Sequence, residues 1–151
     1  MRVLDEGLAI INALWSGRPV ACTGTHYTVN TPAFAPTPLQ RPRIPIWVAG
    51  RWPGTKPFRR AAQWDGVFPL SRQDDEQLSP EQYQEMLRYM QHQDDANSTF
   101  DVVTLSGPAD ATAPRIKAYT NAGVNWWQIG FLPDSTLDEV QQTIRRGPPP
   151  Y

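Results

Sequence analysis

Residues 41–50, RPRIPIWVAG, leave this chain few choices. Pro42 and Pro45 bar a helical start, because each lacks an N–H and drives the residue before it into extended geometry. Ile44, Ile46, Trp47, Val48 and Ala49 then form a nearly unbroken apolar run, too short for a buried helix. A run apolar on both faces reads as a strand covered on both sides, which marks a parallel sheet. Gly50 ends it. A turn at Trp52-Pro53-Gly54, a helix over 57–64 and a short strand over 65–70 complete a strand–loop–helix–strand unit. The rest of the chain repeats that unit.

Upstream, Val3, Leu4, Leu8, Ile11, Leu14 and Trp15 fall at helical spacing, so residues 2–16 read as an amphipathic helix closed by Gly17. Residues 18–40 read as an irregular excursion, with Thr25–Val29 as a short strand or ribbon and 31–40 as a proline-rich connector. Downstream, Ser79, Pro80 and Gln82 spell a capped helix start, with Tyr83, Met86, Leu87 and Met90 as its buried face. Residues 100–105 are the third strand of the repeat, stopped by Ser106-Gly107-Pro108. Ile116, Tyr119 and Ala122 lie along the next helix, which Gly123 caps, and 124–131 is the fourth strand. Thr136 with Glu139 is a second capping box, opening a last helix with Leu137, Val140 and Ile144 on its apolar face. One helix followed by four strand–helix pairs implies an α/β fold with a four-stranded parallel sheet, either half of a (β/α)8 barrel or a small open sheet.

Bulk properties narrow the function. A chain of 151 residues fits a single domain, here 1–151, with a real core. Its net charge of −1, with both signs interleaved, lacks the basic footprint of a nucleic-acid binder. No apolar run nears the roughly 20 residues of a membrane span, and no leader pattern opens the sequence. Cys22 is alone, so no disulfide framework or cysteine metal cluster is expected, and the cytoplasm is the expected location. No Ser-His-Asp elbow, phosphate loop or zinc spacing is present.

The strings LDEGLAIINALWSG, HYTV, PTPLQRPRIPIWVAG and RRAAQWDGVFPL, followed by SPEQYQEMLRYM, YTNAGVNWWQIGF and IRRGPPP, resemble the luciferase-like monooxygenase family in order and spacing. The resemblance implies a TIM barrel using reduced flavin mononucleotide (FMN) or a deazaflavin coenzyme (F420), of which this chain matches the C-terminal half. In the family a substrate-facing histidine or acid commonly comes from the N-terminal strands, and much of the phosphate grip from the loop before the first helix here. The catalytic residue is therefore left unassigned.

What the resemblance leaves are the C-terminal strand ends, which face the active site of any such barrel. By position these are Trp47, Ala49, Gly50 and Arg51, then Phe68 to Ser71, Ser106-Gly107 and Gly130-Phe131; cofactor contacts are assigned to Trp47, Ala49, Gly50, Arg51, Ser106 and Gly107, with Thr55 and Lys56 at a helix start and Asp65. Gly50 lets backbone approach a ligand or simply permits a tight turn. Thr55 and Lys56 precede N–H groups that favour phosphate, although Arg51 and Lys56 also read as solvated charges. Asp65-Gly66 doubles as a turn into a strand. Trp126 and Trp127 point to opposite faces, one into a barrel interior and one onto helices. His26 and His92 read as surface histidines, and Asp74-Asp75-Glu76 and Asp94-Asp95 as solvated loops.

Two functions follow. In the first, the chain is the C-terminal part of a flavin- or deazaflavin-dependent oxidoreductase acting on a small organic substrate. In the second, it is a non-catalytic half-barrel that only associates. A half-barrel has two open sheet edges and a bare inner face, so a homodimer or docking with an N-terminal half is expected.

Overall fold

A computed structural model describes residues 3–73, 76–93, 96–97 and 99–148; Asp74, Asp75, Asp94 and Asp95 lie outside the described residues. Two compact units, Met1–Pro45 and Ile46–Tyr151, divide the chain.

The first unit holds helix α1 (Val3–Trp15) and an antiparallel hairpin, β1 (Val20–Thr23) with β2 (Thr28–Thr31). One side chain joins them. The Glu6 carboxylate accepts the backbone N–H groups of Tyr27 at 2.7 Å and His26 at 3.1 Å, so the hairpin turn closes onto the helix. Burial pushes the Glu6 carboxyl up, but these donated hydrogen bonds outweigh it and the net displacement is downward. Gly24 lies so close to that carboxylate that any Cβ would overlap it. The ribbon read at 25–29 is thus the end of a hairpin. Its first strand follows Pro19 and spans only four residues, too few to show a period in sequence.

In the second unit the elements alternate: β3 (Trp47–Arg51), α2 (Thr55–Ala61), β4 (Gly66–Leu70), α3 (Pro80–Gln91), β5 (Asp101–Ser106), a short 3-10 turn (Pro108–Asp110), α4 (Ala113–Asn121), β6 (Trp126–Ile129) and α5 (Leu137–Arg146). The strands form one parallel sheet in the order β3-β4-β5-β6, with Trp47 beside Gly66, Gly66 beside Asp101, and Val103 beside Trp126. Four parallel βα units in sequence order make half of a TIM barrel.

The core lies between the sheet and its helices: Phe58, Val67, Tyr83, Met86, Met90 and Val102 are almost completely buried. Helix starts match the local chemistry. Ser79 N–H donates to Gln82 Oε1 at 2.8 Å and Thr136 N–H to Glu139 Oε2 at 2.7 Å, each half of a capping box.

The other face of the sheet is largely uncovered. Trp126 (51% exposed) meets Trp47 (37% exposed) edge-on at 5.2 Å, although they stand on the first and fourth strands. Trp127 turns the other way and meets Tyr119 of α4 at 5.5 Å, 89° between planes. The adjacent tryptophans therefore serve opposite faces, as strand alternation requires. Among the described residues no helix is long and apolar enough to cross a membrane.

Candidate functional site

The sheet has two rims, and they differ in chemistry. At the amino ends of the strands, polar side chains are spent on backbone. The Asp65 carboxylate accepts the Ile46 N–H at 2.7 Å, and Asn125 Oδ1 accepts the Val102 N–H at 2.7 Å. The Trp47 indole N–H donates to Asp101 Oδ2 at 3.1 Å. These bonds staple strand entries together and fix their register.

At the carboxyl ends lies a cavity of about 940 Å³, walled by the last residue of β3 and the loops after β4, β5 and β6. Arg51 stands at the end of β3, Leu70 and Ser71 at the end of β4, Ser106 and Gly107 after β5, and Gly130 and Phe131 after β6. The Arg51 guanidinium donates to the Ser71 carbonyl at 2.7 Å, tying the first two loops. Ser106 Oγ donates to the Gly107 carbonyl at 3.2 Å.

A polar chain runs along one wall. Tyr119 donates to the Leu78 carbonyl at 2.7 Å, and Tyr83 to the Val103 carbonyl at 3.3 Å. Burial pushes the Tyr83 phenol up to about 12, so it stays a proton donor at physiological pH. Burial likewise raises Tyr119, against the opposing pull of Arg115. Gln77 donates to the hydroxyl of fully buried Thr104 and accepts from Arg115 Nη2 at 2.6 Å. The Arg115 side chain is 39% exposed, but its Nε is buried and has no hydrogen-bond partner among the described residues.

Of the nine positions singled out in sequence, Arg51, Ser106 and Gly107 line this cavity. Ala49 is exposed on the uncovered face of β3. Gly50 has the parity of buried Val48: a Cβ there would overlap Pro57 of α2, so its missing side chain serves helix–strand contact. Thr55 and Lys56 open α2 and are exposed, outside the cavity lining. Trp47 and Asp65 stand at the opposite rim. The ladder of β3 begins at Trp47 rather than at Ile44, because the Ile46 N–H is taken by the Asp65 carboxylate.

Gln77, Tyr83 and Arg115 were not singled out from sequence. One signal was available for Arg115. A cation in the first turn of a helix opposes the helix dipole, so its presence asks for a local partner.

A family model described as luciferase-like monooxygenase matches residues 1–78, just over half of the 151. No curated protein matches the chain. The family match ends at Leu78, so the loops after β5 and β6 lie beyond it.

Proposed function

We propose a cofactor-holding role from one premise: the chain belongs to the luciferase-like monooxygenase family, whose model it matches over more than half its length. In this reading the cavity at the carboxyl ends of β3–β6 takes a flavin-type cofactor, FMN or the deazaflavin F420, beside a small organic substrate. The observation that carries it is the cavity itself. Its volume of about 940 Å³ lies within the range of cofactor sites.

When bound, a reduced flavin supplies electrons for oxygen chemistry and a reduced deazaflavin supplies hydride. The chain's own part is placement. Arg51 and Arg115 present cationic donors, Ser106 a hydroxyl, and Gly107 an open backbone, because a Cβ there would meet only Asp110 Oδ2 at 3.6 Å. Tyr83 on the wall and Tyr119 spend their hydroxyls on backbone carbonyls.

A second reading, a half-barrel that only associates, is favoured by the uncovered indoles of Trp47 and Trp126 together with Leu105, 41% exposed on the same sheet. One paired experiment separates the two. Titration with FMN and with F420, followed by fluorescence, should saturate with a micromolar or tighter dissociation constant under the first reading. No binding of either, with a sedimenting mass at or above twice 17.0 kDa, overturns the first and supports the second.

A further inference from the structure

Leu137, Val140 and Ile144 recur at three- and four-residue steps along α5, the spacing by which a crossover helix seats itself on its sheet. Here the stripe is left open. None of the ten residues of α5 is buried; Leu137 is 71% and Ile144 69% exposed, with Val140 half-buried. A different side of the helix is in use: Glu139, Gln142, Thr143 and Arg146 line the cavity. The helix ends are well made, with the Thr136–Glu139 capping box at the start and Gly147 after the last turn. A helix this short still draws most of its stability from a covered apolar face, so the open stripe asks for a partner.

We infer that a second copy of this chain covers the stripe, the two α5 helices lying antiparallel about a twofold axis. Charge selects that partner. Asp138 and Arg145 stand two helical turns apart, so they share one flank of the stripe at its opposite ends. Among the described residues neither has an ion-pair partner in its own chain. An antiparallel twofold sets Asp138 of each copy against Arg145 of the other, so the surface is complementary to itself. The helix ends agree: the first turn is acidic (Asp138, Glu139), the last basic (Arg145, Arg146), and opposed dipoles favour the same arrangement. A parallel pair would bring like charges together. Leu137 and Ile144 then exchange across the axis around Val140, the a and d spacing of a short coiled-coil seam. A seam of this length makes a small interface, so the dimer is expected to be concentration-dependent.

Sedimentation equilibrium of the full chain should pass from 17.0 kDa to twice that mass as the concentration rises. Ile144→Lys puts a charge into the stripe, yet a lysine suits the last turn of a helix. Far-ultraviolet dichroism should therefore stay unchanged while association weakens at least about tenfold. Asp138→Arg and Arg145→Asp each set like charges across the axis, and each alone should weaken association about tenfold. Mixed in equal amounts, these two variants restore both opposed pairs and should recover the wild-type behaviour. A variant that merely frayed its helix would not be rescued by the other.

A wild-type chain that stays at 17.0 kDa throughout would overturn the pairing. So would a dimer that survives Ile144→Lys, which would assign association to the Trp47 and Trp126 side of the sheet instead. Charge variants that do not weaken association, or that do not recover on mixing, would overturn the antiparallel arrangement and the inference with it. Flavin enters none of these arms, so the cofactor reading stands or falls separately.

Discussion

Phe58→Ala is expected to lower the unfolding free energy of the second unit by about 3–5 kcal/mol, read as a lower urea midpoint. Phe58 is completely buried and meets the Trp52 ring at right angles, 5.2 Å between centres. A Cβ at Gly50 would stand 3.5 Å from its Cε2, so the phenyl ring fills the angle between the end of β3 and α2. Removing it opens a cavity at the corner from which Arg51 reaches the Ser71 carbonyl. A small domain holds only about 5–15 kcal/mol in total, so this one truncation consumes a large share. A loss under about 1 kcal/mol would contradict the packing of α2 on β3.

Gly123→Val should follow closely, at about 2–4 kcal/mol, because two penalties coincide. Gly123 follows α4 at φ +99°, a region that a β-branched residue avoids, and its missing side chain is occupied by Leu87 of α3. Gly147 separates the two terms. It has φ +73° and ψ −171°, with nothing among the described residues within 4 Å of an added Cβ, so Gly147→Ala should show the backbone term alone, about 1–3 kcal/mol. Equal losses at the two positions would mean that Leu87 does not fill the space at Gly123.

What was legible in the sequence is what is decided locally. Ser79 with Gln82 and Thr136 with Glu139 announce helix starts because a capping box closes within four residues. The pair Trp126-Trp127 announces its two faces because strand parity admits nothing else. The parallel order of β3–β6 followed from the strand–helix alternation.

The illegible parts depend on distant partners. The start of β3 moved from Ile44 to Trp47 because a carboxylate 19 residues away takes the Ile46 N–H. That shift sends Trp47 to the amino rim. In sequence Gly50 suits a ligand's approach or a tight turn equally, and parity with Val48 turns it toward Pro57. Gln77 and Arg115, 38 residues apart, become neighbours only when two consecutive parallel crossovers bring α3's entry beside α4. No periodicity in the chain reports that meeting.

The most direct measurement of the central claim is where a bound flavin is felt. Amide and side-chain NMR shifts recorded during an FMN titration should move together at Arg51, Ser106, Gly107 and Arg115, on the carboxyl rim, and saturate with one dissociation constant. The Trp47 indole N–H and the Asn125 amide, on the amino rim, should stay in place. Saturable shifts centred on that opposite pair, or a flat titration across the whole sheet, would contradict the account.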